Sequence, residues 1–390
     1  MPAPAMLPLD LDVCQKASRY ATRVCQEMTK RSSLIKDLKV DCLPYFERDE
    51  ILPFLGDKLG KGGFNSVYEL EKIELDESSN VSEEQQKQRG AVAHGLGRKL
   101  AVKFLNESAM ANSNEFCNGA ADLLLEAKYL SALSNHPHPS IISLHGVAAA
   151  GAAGFATGQM GGYFLIVDRL YDTLDKRIDV WKELRRRKLR HSSPLNTKLL
   201  QAMFLQRLMV ACDICSAIRH LHSLSVVFRD LKPDNVGFDF QNRVKLFDFG
   251  LAKELDPLQK TADGMYEMSG GTGSRRFMAP EVALGEPYNL SADIYSFSIL
   301  FWELCALEKA FGKLSQEDHR EQVIKNNERP PLRREWKPAV QYILQSCWKR
   351  NPRERINAKD LYRDLKEQVD LYYHDGFEVC EDGREKKLCI

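Results

Sequence analysis

An α+β chain of two lobes is what this sequence predicts, with a small β-rich lobe leading into a larger α-rich one. Three observations lead there. The 390 residues exceed the roughly 250–300 that one hydrophobic core usually serves. Five short apolar runs and one amphipathic helix crowd between Ile51 and Leu170. From Leu199 onward the apolar spacing is mostly helical. Hydrophobic residues at 44% and charged residues at 28% place the chain among ordinary globular proteins.

In chain order, Val13, Ala17, Tyr20, Val24 and Met28 recur at helical spacing and predict one amphipathic helix within residues 1–50, packed on the body of the protein. Leu52 to Lys61, Ser66 to Leu75 and Leu100 to Leu105 read as strands. Between the last two lies Asp76 to Arg98, rich in Glu, Gln, Ser and Gly, expected to be a disordered insertion. Asp122 to Leu133 predicts a helix that stops before His136-Pro137-His138-Pro139. Ile141 to Val147 and Tyr163 to Leu170 are two further strands, joined by Ala148 to Gly162, expected to be a mobile hairpin loop. The seam between lobes is expected near Asp168–Asp172. A basic run, Arg185 to Arg190 followed by His191-Ser192-Ser193, is expected to be a solvated loop between two helices. Nuclear import, docking of acidic substrates, or phosphorylation of Ser192 or Ser193 are its sharper uses. No internal repeat is visible.

The balance of 55 basic and 54 acidic residues gives no field for nucleic acid or an anionic membrane. No apolar run is expected to span a membrane, the longest candidate being the Ala/Gly-rich Val147 to Gly162. Prolines fill the N-terminus where a signal peptide needs a basic region and an apolar helix. Ten cysteines are scattered, and Cys212 and Cys215 sit in an apolar helical pattern that makes them core residues rather than metal ligands. Cys389 stands too late for prenylation. A soluble protein of a reducing compartment is expected, cytoplasmic or nuclear, with oligomeric state left open.

Chemistry gathers in a few motifs. Phe228-Arg229-Asp230-Leu231-Lys232-Pro233-Asp234-Asn235 and Asp248-Phe249-Gly250 supply a proton acceptor, a cation and two hard oxygen ligands of the kind Mg²⁺ prefers. Leu59-Gly60-Lys61-Gly62-Gly63-Phe64-Asn65-Ser66-Val67 lies between two strands, where glycines let backbone N–H groups approach phosphate oxygens. A dinucleotide fold would need a helix next, but Val67 to Leu70 alternates like a strand. Lys103 stands inside the apolar Leu100 to Leu105, an expensive place for an ammonium without anions.

These motifs resemble the glycine-rich loop, strand lysine, catalytic loop and Asp-Phe-Gly segment of eukaryotic protein kinases. The resemblance covers about Leu52 to Leu371 and leans toward serine/threonine kinases of the tyrosine-kinase-like group, through Cys347-Trp348 and Asp293 to Phe297. It implies a bilobal fold with a small antiparallel sheet carrying one helix (about 52–168) and a larger, mainly helical lobe (about 172–371). Residues 1–51 are then an extension and 372–390 a tail.

The resemblance further implies ATP and Mg²⁺, protein substrates, and an upstream activating kinase. Asp230 would be the base or orienter, Lys232 the phosphoryl-neutralising cation, and Lys103 the phosphate ligand, paired with Glu126 ahead of Glu107 or Glu115. Nucleotide contacts would come from Gly60, Lys61, Gly62, Gly63, Val67, Ala101 and Lys103, from the hinge at Asp168 and Leu170, and from Asn235 and Asp248, the last two holding metal. Met278-Ala279-Pro280-Glu281 would close the activation segment, with Glu281 paired to Arg355 and Asp293 bracing the catalytic loop. Thr272 would face Asp230, and Ser269, then Thr261, would take an activating phosphate opposite Arg229.

Three departures weaken the match. Asn65 replaces the third glycine, and Phe228 stands where His or Tyr is usual. Gly237 replaces a larger apolar residue and should leave the nucleotide floor roomier. They keep a pseudokinase open as the alternative; a small-molecule kinase is disfavoured by the closing Ala-Pro-Glu and Arg355.

Overall fold

Leu100–Leu105 is buried at all six positions, which makes it the centre of a sheet rather than an edge. The computed structural model describes residues 10–36, 43–76, 81–95, 99–189 and 194–376. The chain divides into two compact units, Met1–Asp172 with Gly237–Leu258, and Thr173–Val236 with Gln259–Ile390.

In the first unit the sheet comprises β1 (Tyr45–Phe46), β2 (Leu55–Lys61), β3 (Asn65–Leu70), β4 (Leu100–Leu105), β5 (Leu144–Ala148) and β6 (Phe164–Asp168), in the order β1-β5-β6-β4-β3-β2. The expectation of five antiparallel strands needs correcting. A sixth, β1, comes from the N-terminal extension and runs parallel to β5, with Tyr45 opposite Val147. The buried Phe46 ring occupies the space that a Cβ at Gly146 would need.

This unit carries several helical segments rather than the single helix expected of the small lobe, and the main ones are these. The predicted amphipathic helix is α1 (Leu11–Arg31), capped by Asp10 and buried along Cys14, Ala17, Ala21 and Cys25. Its buried line is therefore offset from the predicted one, since Tyr20 is exposed. The stretch expected to be disordered contains α2 (Glu83–Gly95). Few apolar residues mark it, because its anchors are polar: Arg89 pairs with Glu50, both buried, and Gln85 donates to the Leu43 carbonyl at 3.1 Å. The long α3 (Ser113–Ser134) starts nine residues before the predicted Asp122, where Asn112 caps the N–H groups of Asn114 and Glu115. The Ala/Gly-rich loop is not a mobile hairpin but a packed 3₁₀ turn, Gly151–Thr157, with Phe155 buried between Tyr163 and Phe116 at ring distances of 4.8 and 6.4 Å.

The second unit is helical. Its main elements are α4 (Leu174–Leu189), α5 (Pro194–Ser223), α6 (Ser291–Ala306), α7 (Pro338–Cys347) and α8 (Ala358–Gly376). The basic run continues α4 instead of forming a loop, and Arg186 and Arg187 both pair with Glu183 in solvent. Arg190 to Ser193, and the tail after Gly376, lie outside the described residues. Contrary to expectation, one stretch, Asn196–Ser223, is long and apolar enough by length and composition to cross a membrane. It packs against α8, α6 and α4 and buries Leu208, Ala211, Ile214, Ile218 and Leu221, as a core helix does. Glu281 and Arg355 meet as a bidentate buried pair at 2.6 and 2.8 Å.

His319 is buried edge-on against Phe311, and among the described residues its Nε2 has no hydrogen-bond partner. Burial, then the charges of Arg275 and Arg276, depress its pKa to about 4. An unfolded histidine protonates near 6.5, so the unfolded chain binds the extra proton between those values. Stability from this residue is complete above about pH 6.5 and falls, by up to ~1.4 kcal/mol per pH unit, as pH drops toward 4. His319→Leu should flatten that part of the profile; urea midpoints of both chains from pH 4.5 to 7 will show whether the difference between them varies with pH.

Candidate active site

In the first unit the hairpin β2–β3 sets Gly60 opposite Val67 and Lys61 opposite Ser66. Gly62 N–H donates to the Asn65 carbonyl at 2.8 Å. A Cβ at Gly60 or Gly63 would meet nothing within 4 Å, so both keep one backbone face open for a ligand's approach. Asn65 does not use a left-handed backbone; it pairs with Leu105 as a strand residue. The intervening Phe64 packs on α3, where only a glycine at 119 gives it room.

Register then places the lysine. Val67 lies opposite Lys103, which lies opposite Leu165, and Ala101 lies opposite Glu69 in the same ladder. Lys103 Nζ donates to Glu126 Oε2 at 2.6 Å and to Asp248 Oδ1 at 2.9 Å. Glu126, from the buried face of α3, is thus the partner, while Glu107 and Glu115 are exposed. Burial opposes the Lys103 charge, but Asp248 and Glu126 outweigh it and hold the ammonium well above the ordinary lysine range. The Asp248 side chain is the open member of the cluster, 44% exposed against 4% for Glu126.

At the strand end, the Asp168 carboxylate accepts from His145 at 2.8 Å and Ser143 N–H at 3.0 Å, with Lys245 3.2 Å away. Burial pushes its pKa up, yet the His145 hydrogen bond and the Lys245 charge prevail and hold it below the usual carboxylate range. Its side chain therefore braces the strand. Leu170 corrects the picture of a roomy floor at Gly237. A Cβ there would meet Leu170 Cδ1 at 2.6 Å and the Asp172 carbonyl at 3.3 Å, so Leu170 fills the volume the glycine vacates.

In the second unit, Asp230 is held on three sides. Its Oδ2 accepts from Lys232 Nζ at 2.8 Å and Asn235 Nδ2 at 2.9 Å, and its Oδ1 from Ser274 N–H at 2.8 Å. Asn235 Nδ2 also donates to the Asp230 carbonyl at 2.9 Å, which leaves its oxygen as the end not spent on Asp230. That oxygen and the Asp248 carboxylate, each in its own unit, are hard donors suited to Mg²⁺.

Ser274, not Thr272, faces the aspartate: its hydroxyl also accepts from Lys232 at 2.8 Å, while Thr272 bonds back to Ser269. The cause lies at Gly273, whose φ of 100° and close approach to the Arg229 carbonyl exclude any side chain. The signal was present in the run Gly271-Thr272-Gly273-Ser274, but the choice between hydroxyls depends on that one backbone angle. Arg229 Nη1 reaches Ser269 Oγ at 3.0 Å. Asp293, fully buried, accepts from Phe228 N–H, Arg229 N–H and His222 at 2.8, 2.9 and 3.0 Å.

The exchange of bulk between residues 170 and 237 makes a reciprocal prediction. Gly237→Leu should lower both thermal stability and nucleotide affinity, because Leu170 must leave its place. Adding Leu170→Ala should recover most of the loss. Thermal melts of the single and double variants with and without ATP check this, and a gain in affinity for the single variant would restore the open-floor picture.

Comparison with known proteins identifies the family. The protein kinase domain family matches residues 87–365. A serine/threonine/tyrosine-protein kinase of Arabidopsis thaliana is 35% identical over 169 residues, 43% of this chain and 41% of that protein. A dual specificity protein kinase of Dictyostelium discoideum is 34% identical over 166 residues, 42% of this chain and 21% of that protein. A dual serine/threonine and tyrosine protein kinase of Takifugu rubripes is 32% identical over 240 residues, 60% of this chain and 22% of that protein. The chain thus spans less than half the length of each of these relatives. With its family's domain matched over most of its length and the charged residues of the motifs held in two ordered clusters, the chain belongs to the eukaryotic protein kinase superfamily.

Proposed function

We propose that the protein transfers the γ-phosphoryl group of ATP to serine and threonine hydroxyls of protein substrates. The observation that carries this is the fixed Asp230 carboxylate, held by Lys232, Asn235 and the Ser274 N–H. A base whose rotamer is set by three donors can take or orient a hydroxyl proton without first reorganising. Lys232, bonded to Asp230 and Ser274, is placed to neutralise charge on the transferred group. Lys103, kept protonated by Glu126 and Asp248, is the cation for the non-transferred phosphates. The open backbone faces of Gly60 and Gly63 suit phosphate oxygens. Mg²⁺, when bound, supplies charge neutralisation across the phosphates, and Asn235 and Asp248 are the residues that would hold it.

The pseudokinase alternative rests on Asn65, Phe228 and Gly237, and none of the three takes a partner from Lys103 or Asp230, although Asn65 leaves its own side-chain oxygen buried without one among the described residues. Asn65 serves as strand backbone, Phe228 keeps its N–H on Asp293, and Leu170 compensates for Gly237. Tyrosine is the competing acceptor, because relatives named as dual-specificity kinases are among the matches. For regulation, Arg229 beside Ser269 favours an activating phosphate at Ser269 supplied by an upstream kinase.

Incubation with labelled ATP, Mg²⁺ and a generic basic protein tests the reading, with Asp230→Asn as the control. Transfer should fall on the order of 10²–10⁴-fold in the variant, while nucleotide-induced thermal stabilisation persists. Phosphoamino-acid analysis should return phosphoserine and phosphothreonine; phosphotyrosine would widen the acceptor range. No transfer by the parent chain, with stabilisation by ATP intact, would favour the pseudokinase.

A further inference from the structure

The segment joining α1 to the rest of the first unit grips one carboxylate. Ser32 Oγ and Ser33 Oγ each donate to Glu254, Ser33 N–H donates to its Oε1 at 3.1 Å, and Leu34 N–H to its Oε2 at 3.2 Å. Four donors from three consecutive residues thus converge on a side chain that lies six residues past Asp248. Ser32 is committed further: its N–H caps α1 through the Met28 carbonyl, and its Oγ accepts from Ile35 N–H at 2.9 Å. On the other side, the Glu254 N–H donates at 2.9 Å to the hydroxyl of Tyr129, a fully buried residue of α3 one turn beyond Glu126. Meanwhile α1 lies along α3 and the 151–157 turn, with small residues at its contact line and Ser18 Oγ donating to the Ala152 carbonyl at 2.8 Å. The extension, the glutamate-bearing helix and the chain after Asp-Phe-Gly are therefore tied at one point.

Three features make that point modifiable. Ser33 is exposed, whereas Ser32 is buried at 4%. Lys30 and Arg31, both exposed, stand three and two residues before Ser33, a pattern that an enzyme with an acidic substrate groove would bind. The hydroxyl of Ser33 is spent as a donor to a carboxylate, so any anion placed on it reverses the sign of the contact.

We propose that Ser33 is a phosphorylation site for a basophilic protein kinase, and that phosphate there releases Glu254 and loosens α1 from α3. In the step itself, Ser33 Oγ bonds to the γ-phosphorus of ATP, the bond to the β,γ-bridging oxygen breaks, ADP leaves, and the hydroxyl proton passes to the modifying enzyme's base. The product carries nearly two negative charges where one carboxylate already sits, and it has lost the proton that bridged them. Repulsion of Glu254 withdraws the strand residue that holds Tyr129, and with it a constraint on the helix that presents Glu126 to Lys103. The modification is therefore a down-regulating one.

The test uses the full chain carrying Asp230→Asn, which suppresses its own transfer activity and keeps the outcome independent of the proposed function. Treatment with a basophilic protein kinase and ATP should place phosphate on Ser33 and not on Ser32, by mass mapping. Amide exchange should then speed up about tenfold or more at residues 125–131 and 252–256, while α6 in the second unit is unchanged. Ser33→Glu should reproduce the loosening, Ser33→Asn should not, and Ser33→Glu combined with Glu254→Lys should restore protection. Failure of Ser33 to accept phosphate, or modification with unchanged exchange, overturns the proposal. Equal loosening by Ser33→Asn overturns it as well, by showing that size rather than charge breaks the contact.

Discussion

One buried charge organises the first unit: the ammonium of Lys103, held between Glu126 at 2.6 Å and Asp248 at 2.9 Å. An isolated cation in a fully buried strand would be prohibitive, so the fold must deliver both carboxylates or lose the charge. Each delivery has its own apparatus. The six-residue ladder of β4 with β3 and its pairing with β6 fix the lysine's direction. Helix α3 is seated on the sheet by Gly119, which admits Phe64 and Leu105 to close contact. The turn after Asp248 is set against the same helix, because Gly250 lies where a Cβ would crowd Asp122. The grip of Ser32, Ser33 and Leu34 on Glu254 ties the chain just past that turn to the end of the N-terminal helix.

How much of this was legible follows from how local each determinant is. The Lys103–Glu126 contact could be anticipated from the helix pattern that ends at His136-Pro137, and Asp230, Lys232 and Asn235 could be picked out because one short motif carries them, though not the hydrogen bonds that join them. The helix α2 could not, since its anchor is an ion pair between Arg89 and Glu50, thirty-nine residues apart, and its apolar periodicity is nearly nil. Strand β1 is two residues long and depends on Phe46 finding the gap over Gly146, a pairing no period announces. The Leu170–Gly237 exchange is likewise non-local: one residue seen alone looks like a hole, and its complement lies sixty-seven positions earlier. The packed turn at 151–157 was hidden by composition, because Ala and Gly suggest looseness until Phe155 is seen between two rings.

Both turns of the candidate site also hold backbone in a costly region. Asp248 and Arg229 each have φ of 71°, a left-handed conformation that side-chain-bearing residues adopt at a cost of about 1–3 kcal/mol. Such strain persists only where the surroundings over-determine it. At Arg229 the determinant is Asp293, with no exposed surface, accepting from two successive N–H groups and from His222. The N–H of Phe228 belongs to that set, which accounts for the tolerance of phenylalanine there. What positions the loop is the backbone amide, common to every residue type at 228, while the ring is wholly buried and contributes packing. Substituting the side chain changes a contact of the ring, whereas losing Asp293 would release the strained angle, the Asp230 carboxylate behind it, and the hydrogen bond from Ser274 that depends on both.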